Sequence, residues 1–231
     1  MSEIHIVQAN GVRLAYRTWG APDAPPLLLL HCLGADGSDW AGIAPALATD
    51  HRVYALDLRG HGGSSRSDEY PLEQQWEDVA AFLTALGLDR VTLIGHSYGA
   101  VVGYLFAQRY PHRIRRLVIE DAPALLPQDP PLTVPPPPPG EEVFDWEVKV
   151  QFTAQRNAPD PGWLTGLANI TAPTLVIGGG PTSHFPQELM TDLVQRLPQG
   201  RLVTIDAGHL VHATRPEEFL AEVRAFLAEP D

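Results

Sequence analysis

Residues 91–104 read VTLIGHSYGAVVGY, and this stretch places one serine between an apolar run and a run of small residues typical of a helix. Gly95, Ser97 and Gly99 form the pattern G-x-S-x-G. A sharp strand-to-helix turn strains its middle residue and brings neighbouring chains close, which favours glycine on both sides. The pattern predicts that the Ser97 hydroxyl projects at the N-terminus of a helix, where backbone N–H groups stabilise an anion. We therefore expect Ser97 to be a nucleophile.

Short apolar runs recur along the chain, and segments of helical periodicity separate them. The first two runs flank residues 10–11, Asn-Gly, a typical hairpin turn. The later runs lack polar alternation, as do parallel strands covered on both faces. Helical periodicity is clearest in residues 72–87 and 216–227. We predict an α/β fold with helices on both faces of a mostly parallel, eight-stranded sheet that begins with an antiparallel hairpin. The strand-like runs begin at Ile4, Val12, Leu27, Arg52, Val91, Arg116, Thr174 and Arg201.

Residues 122–169 interrupt this rhythm. Within them, residues 130–140 read PPLTVPPPPPG, which favours an extended chain with few backbone donors. Residues 143–152 alternate like a strand, but Asp145 also suits the N-cap of a helix, which we favour. We expect one domain, residues 1–231, with residues 122–169 as a proline-rich lid insertion over the sheet. A solvated linker is the alternative for the proline run.

The charge of the chain argues against polyanionic partners. It has 28 acidic and 16 basic side chains, a formal net charge of −12. We therefore expect no binding to nucleic acid or to a membrane, and a small neutral molecule as the partner. Cys32 is the single cysteine, which excludes an intramolecular disulfide. The chain start lacks the features of a secretory signal, so we expect a cytoplasmic protein; the sequence leaves its oligomeric state open.

The chain resembles the α/β-hydrolase superfamily along almost its whole length. Beside the GHSYG turn and the N-terminal hairpin, three stretches carry the resemblance: LLLLHCLGADGSDW at residues 27–40, DLRGHGGSS at residues 57–65 and DAGHLVHATRPEEF at residues 206–219. Their order along the chain is that of the family. The resemblance implies the α/β-hydrolase fold and a serine-dependent hydrolase, and we expect neither a cofactor nor a metal ion.

Serine needs a base, because an unassisted hydroxyl is a poor nucleophile at neutral pH. The resemblance implies His209, which follows the last predicted strand. His212 is the rival, and we expect it to pack within the loop instead. His31 and His96 are expected to shape the floor of the pocket, and His61 is expected to be structural.

The acidic partner of the histidine departs from the common family pattern. Where the family usually has aspartate after the strand at residues 174–179, this chain has Thr182, which cannot supply the charge that stabilises an imidazolium. Some members place the acid after the preceding strand, and there the chain has Glu120 and Asp121. Successive strand residues point to opposite sides, so we expect one of the two to reach His209. Asp121 is our first choice and Glu120 the second; alternatively, both merely end a strand.

An oxyanion hole requires two backbone amides. We expect the amide of Tyr98, and the resemblance implies that of Leu33. The family usually has glycine where Cys32 stands, but cysteine adopts most conformations without a positive φ, so we expect the hole to be kept. Aromatic side chains of the insertion are expected either to line an apolar acyl pocket or to pack the lid onto the core: Phe144, Trp146, Phe152 and Trp163.

These residues together predict acyl transfer to water. Ser97 attacks a carbonyl group, His209 accepts its proton and Asp121 holds the imidazole tautomer. We predict a carboxylesterase-like enzyme that cleaves a small carboxylic ester or lactone. Carbon–carbon bond hydrolysis and perhydrolysis at the same site are alternatives. A non-catalytic member that binds a small molecule or a partner is an alternative of another class, favoured by Thr182.

Overall fold

An eight-stranded sheet runs through the part of the chain that the computed structural model describes, residues 3–137, 139 and 143–230. Its strands are β1 (Ile4–Ala9), β2 (Val12–Trp19), β3 (Pro26–Leu30), β4 (Arg52–Leu56), β5 (Val91–His96), β6 (Ile114–Glu120), β7 (Thr174–Gly178) and β8 (Gly200–Thr204). They lie in the order β1-β2-β4-β3-β5-β6-β7-β8. β2 is antiparallel to both neighbours, and the remaining pairs are parallel. The predicted sheet and its initial hairpin are confirmed.

Helices cover both faces of this sheet. They are α1 (Ala44–Leu47), α2 (Leu72–Ala85), α3 (Tyr98–Arg109), α4 (Trp146–Asn157), α5 (Pro161–Thr165), α6 (Gln187–Arg196), α7 (Val211–Thr214) and α8 (Pro216–Leu227). On β3, Leu28 and Leu30 belong to the apolar cluster on the side of α2, α3 and α6, whereas Leu27 and Leu29 belong to the cluster on the side of α1 and α8. A strand buried on both faces therefore reads as a continuous leucine run. None of the described helices has the length and apolar character that crossing a bilayer requires.

The strand order creates a crevice at the carboxyl ends of β3 and β5. From β3 the chain moves to β4 on one side, and it then crosses to β5 on the other side of β3. The connections that leave these two strands diverge, and open α/β sheets bind ligands at such a switch point. The Ser97 turn follows β5 and the loop with Leu33 follows β3, so both lie at this crevice.

The segment between β6 and β7 combines a stretch without regular structure with the helices α4 and α5. Residues 122–137 form neither helix nor strand, as their proline content predicts; residues 138 and 140, at the end of the proline run, lie outside the described residues. α4 confirms the favoured helix, and the Glu147 N–H donates to the carboxylate of its N-cap residue Asp145 at 3.1 Å.

α4 in turn completes the N-terminus of α2. α2 has Pro71 at its N-cap and lacks a side-chain cap of its own. The Tyr70 N–H donates to the Gln151 amide oxygen (2.6 Å), and the Leu72 N–H donates to that of Gln155 (2.8 Å). Backbone N–H groups at a helix start have no intrahelical partner, so α4 supplies acceptors that the sequence near α2 does not.

Substitution of Asp145 tests how strongly α4 is attached to the rest of the fold. The Asp145 carboxylate caps α4 and also accepts a hydrogen bond from the Tyr70 hydroxyl at 2.8 Å. We expect Asp145→Ala to cost about 1–3 kcal/mol of unfolding free energy, a fall in Tm of roughly 2–10 °C, because a cap and a charge-assisted hydrogen bond are lost. Thermal unfolding followed by circular dichroism measures the fall.

Asp160→Ala is the matched control for this variant. Asp160 also caps a helix, α5, but that helix has five residues and none of them is buried. We expect its Tm to change by less than about 2 °C. Equal losses in the two variants would contradict the role given to Asp145.

Candidate active site

Ser97 occupies the turn between β5 and α3. Its backbone has φ 52° and ψ −113°, and among the described residues Asn10 and Asp121 are the other non-glycine residues with positive φ. A Cβ at Gly99 would lie 2.3 Å from the Leu30 carbonyl oxygen, and one at Gly95 would lie 2.6 Å from the backbone of α3. Glycine is therefore required on both sides of Ser97 because the chains touch there, as the G-x-S-x-G pattern predicts.

His209 is bound to a buried carboxylate. Its Nδ1–H donates to Asp121 Oδ2 at 2.7 Å; the imidazole is 20% exposed and the Asp121 side chain is fully buried. The Gly179 N–H (2.8 Å) and the Ser183 hydroxyl (2.6 Å) also donate to Asp121. Burial acts to raise the pKa of this carboxyl, but the three hydrogen bonds outweigh it and the pKa lies below its ordinary value. An ionised carboxylate thus holds Nδ1 protonated, which leaves Nε2 as the basic nitrogen.

The adjacent acids Glu120 and Asp121 contact different histidines. Glu120 is the last residue of β6, and its carboxylate accepts from the backbone N–H and from Nδ1–H of His212, each at 2.9 Å. Asp121 has φ 43°, and its N–H donates to the Ile177 carbonyl of β7 at 2.8 Å. Asp121, and not Glu120, is the carboxylate bonded to His209.

The loop after β7 contacts Asp121 through Ser183 and not through Thr182. The Thr182 hydroxyl donates to Asp206 at 2.9 Å and is exposed. Ser183, the next residue, reaches Asp121 instead. Sequence reasoning missed Ser183, although a hydroxyl directly beside the vacant aspartate position was a signal that this loop still faces the histidine.

His212 packs inside the loop, where its charge is fixed. The ring is buried and stacks on Trp40 with centroids 4.3 Å apart, and Nε2 lies 3.6 Å from the Asp39 carboxylate. Burial acts to lower the pKa of this imidazole, but the carboxylates of Glu120 and Asp39 outweigh it and raise the pKa to about 10. His212 is therefore an imidazolium at neutral pH and has no free site for a further proton, which argues against the rival base.

Two further histidines hold the backbone around the site. His96 Nε2–H donates to the His209 carbonyl at 2.8 Å, which anchors the loop that carries His209. His31 Nδ1–H donates to the Cys32 carbonyl (2.7 Å), and its Nε2 accepts from the Leu58 N–H (3.0 Å). Burial lowers the pKa of both rings, so they stay neutral. Their hydrogen bonds are to the backbone, which makes them supports of the site.

The first turn of α3 and the loop after β3 lie side by side. Tyr98 is the first residue of α3, and N–H groups there have no partner within the helix. A Cβ at Gly99 would lie 2.5 Å from the His31 carbonyl oxygen, so the loop that continues to Leu33 starts in contact with this turn. Cys32 is not among the positive-φ residues, so cysteine in place of the family glycine does not strain the loop.

A cavity of about 570 Å³ opens beside Ser97. Its walls are mostly apolar and come from Tyr98 and Val101, from residues 122–129, and from Leu132, Phe152, Arg156 and residues 184–186 and 189. Phe152 lies where the sequence analysis places it. The cavity lies between the start of α3, residues 122–132 and the loop before α6. These segments are far apart in the chain, so the cavity forms only in the folded protein.

Four residues expected in this pocket lie elsewhere among the described residues: His31, Phe144, Trp146 and Trp163. Phe144 stacks on His61 with centroids 5.3 Å apart and contacts Trp146 at 5.7 Å. Trp163 packs on the core, and its carbonyl accepts from the Gln108 amide at 2.9 Å. Sequence does not distinguish the two places, because an aromatic side chain is stabilised by packing between α4 and the core as well as by lining a pocket.

Comparison with known proteins agrees with this fold. Residues 25–147, more than half of the chain, match the family described as alpha/beta hydrolase fold. The chain is 28% identical to 2-hydroxy-6-oxo-2,4-heptadienoate hydrolase of Pseudomonas putida, over 98% of this chain and 96% of that protein. It is 24% identical to an sn-1-specific diacylglycerol lipase of Mus musculus, over 90% and 83%. The crystal structure of the enol-lactonase from Burkholderia xenovorans LB400 has a TM-score of 0.80 at 24% identity, over 97% of this chain and all of that one.

The chain belongs to the alpha/beta hydrolase family. Its relatives in that family are named as hydrolases and lipases, and its own activity class is that of a hydrolase.

The ion pair between His212 and Glu120 predicts how stability depends on pH. The pKa of His212 rises on folding from 6.5 to about 10, so its contribution is complete below pH 6.5 and is lost as the pH rises toward 10. The pKa of Glu120 is lowered because the nearby histidines outweigh the opposing effect of burial, so its contribution is lost only under acid conditions. We expect the Tm to fall between pH 6.5 and 10, and His212→Gln to flatten that fall and to lower the Tm at pH 6.5 by roughly 10 °C.

The measurement is the Tm of the unaltered protein and of His212→Gln, followed by thermal unfolding across this pH range. His112→Gln is the control, because His112 is exposed and lies on the 3₁₀ turn Pro111–Arg113, outside this cluster. A Tm profile of His212→Gln parallel to that of the unaltered protein would show that His212 is not the titrating group.

Proposed function

We propose that the protein is a serine hydrolase that cleaves a small carboxylic ester or lactone through an acyl-enzyme intermediate. The observation that carries the proposal is the 2.7 Å hydrogen bond from His209 to the buried carboxylate of Asp121. This bond holds the His209 ring with Nδ1 as the donor and leaves Nε2 as the acceptor at the crevice where Ser97 sits on its strained turn. An oriented base beside a nucleophile is the arrangement that acyl transfer needs.

In the proposed reaction, Ser97 Oγ attacks the carbonyl carbon and His209 Nε2 takes the hydroxyl proton. The Asp121 carboxylate stabilises the imidazolium that forms. The amides of Tyr98 and Leu33 donate to the tetrahedral oxyanion. The imidazolium then protonates the leaving alcohol, and a water molecule activated by the same base releases the acid and restores Ser97.

We further propose that residues 122–169 act as a lid that shapes the substrate pocket. Their extended part and α4 supply Leu125, Phe152 and other apolar walls of the cavity beside Ser97. An apolar cavity of about 570 Å³ suits an acyl group of moderate length rather than a long lipid chain.

Hydrolysis of a carbon–carbon bond in a diketone is the second candidate. It is favoured by the similarity, over nearly the full length of both chains, to 2-hydroxy-6-oxo-2,4-heptadienoate hydrolase. The same serine, base and oxyanion donors would serve it, and only the leaving group differs.

Labelling with a fluorophosphonate tests whether Ser97 is an activated nucleophile. We expect one adduct per chain, located on Ser97 by mass spectrometry, because the probe reacts with serines that have an adjacent base. Ser97→Ala is expected to give no adduct. A folded protein that stays unlabelled would contradict the proposal and would favour a non-catalytic, ligand-binding member of the family.

Asp121→Asn tests the acid. We expect kcat for 4-nitrophenyl butyrate to fall by about 10⁴-fold. Asparagine is uncharged, so it neither stabilises the His209 imidazolium nor fixes the tautomer with the proton on Nδ1. Thr182→Val is the control at the usual family position, and we expect it to retain kcat within about 3-fold, because its hydroxyl bonds Asp206 and not Asp121. Equal rates in Asp121→Asn and the unaltered enzyme would refute the assignment.

A further inference from the structure

Arg156 places a cation in the wall of the cavity beside Ser97. It lies on α4, and its guanidinium carbon sits 5.7 Å from the ring centroid of Phe152 and 6.0 Å from that of Phe185. All three residues line the cavity. Among the described residues, no hydrogen bond or ion pair to the guanidinium is present. Two aromatic faces therefore hold the group, and its five donors stay available.

Two other arginines that are shielded from solvent are paired with buried carboxylates. Arg59, which is buried, forms two 2.6 Å hydrogen bonds to the Asp78 carboxylate, and Arg17 donates to the buried Asp57 at 2.9 Å. The chain has 28 acidic side chains, so carboxylates are plentiful. Asp129 also lines the cavity but forms no ion pair with Arg156 in the described part of the chain. A partly buried cation that is left unpaired costs free energy, which a ligand anion would recover.

His184 lies between the cavity that holds Arg156 and the His209 ring. Arg156 and His184 both line the cavity. The His184 ring in turn packs on the His209 ring with centroids 4.1 Å apart. An anion at Arg156 would thus lie in the cavity that Ser97 and His184 also line.

We propose that Arg156 binds a carboxylate at the far end of the substrate's acyl group, so that the enzyme prefers half-esters or lactones of dicarboxylic acids. The planar guanidinium matches a carboxylate with two parallel hydrogen bonds, and the apolar walls contact the carbons between carboxylate and ester. This inference rests on the proposed ester hydrolysis at Ser97. It replaces the neutral substrate that the net charge of the chain suggests, because one local cation decides what the cavity binds.

The test compares two esters of similar length, mono-4-nitrophenyl glutarate and 4-nitrophenyl pentanoate. We expect Arg156→Gln to lower the ratio of kcat/KM for the anionic ester to that for the neutral ester by about 10- to 100-fold, with the loss mainly in KM. Arg156→Lys is expected to restore part of the ratio, because a lysine keeps the charge but lacks the fork.

Lys149→Gln is the matched control. Lys149 is a cation on the same helix and also stacks on an aromatic ring, that of Trp146 at 4.6 Å, but it lies outside the cavity lining. Its removal changes the net charge of the enzyme by the same amount, so a ratio unchanged in Lys149→Gln and reduced in Arg156→Gln supports a direct contact. An unchanged ratio in Arg156→Gln, or an equal loss for both esters, would overturn the inference.

A binding measurement separates this inference from the proposed function. Calorimetry with Ser97→Ala and monoethyl glutarate needs no turnover, and we expect the heat of binding to disappear in Ser97→Ala/Arg156→Gln. If neither ester is hydrolysed by the unaltered protein but this Arg156-dependent binding is present, ester hydrolysis fails and the anion site stands. If both esters are hydrolysed and no such binding is detected, the anion site fails and ester hydrolysis stands.

Discussion

The contact between the Ser97 turn and the end of β3 is the constraint on which the site depends. β3 and β5 are parallel neighbours, with Leu30 opposite Gly95, and the first turn of α3 touches the Leu30 and His31 carbonyls at Gly99. A strained residue persists only where its surroundings leave it no alternative. β5 is buried throughout and α3 nearly so, which leaves Ser97 no room to relax. The positions of the Ser97 turn and of the loop after β3 are thus set by one close approach of two backbones.

The paired acids at the end of β6 extend this rigidity to the histidine loop. Asp121 holds the His209 ring, while Glu120 binds the backbone and ring of His212 three residues further on. His96, beside Ser97, holds the His209 carbonyl. The loop is therefore fixed at the His209 ring, at the His209 carbonyl and at His212, so that hydrogen bonds from the ends of β5 and β6 determine where the His209 ring lies. Networks of this kind are worth more together than their single bonds, because each bond orders the partners of the next.

The segment after β6 joins one wall of the cavity beside Ser97 to the core. Its helix α4 supplies acceptors for the start of α2 through Gln151 and Gln155, and the same helix carries Phe152 and Arg156 into the cavity. Because one side of α4 is hydrogen-bonded to the start of α2, the other side of α4 is held in place as a wall of the cavity. This explains how a guanidinium that lacks an ion pair among the described residues can be held in the mostly apolar wall of the cavity.

The sequence by itself determined the eight-stranded sheet, the covering helices and the turn at Ser97, because apolar runs, the Asn-Gly hairpin and paired glycines act over a few neighbouring residues. It also indicated His209, and strand alternation reduced the acid to a choice between Glu120 and Asp121. Tertiary structure alone decided which acid meets His209, because the answer depends on the positive φ of Asp121 and on its contacts with β7. The same holds for the hydrogen bond of Ser183 and for the place of Arg156 in the cavity wall, because each depends on chain segments that are distant in sequence and meet only in the folded protein.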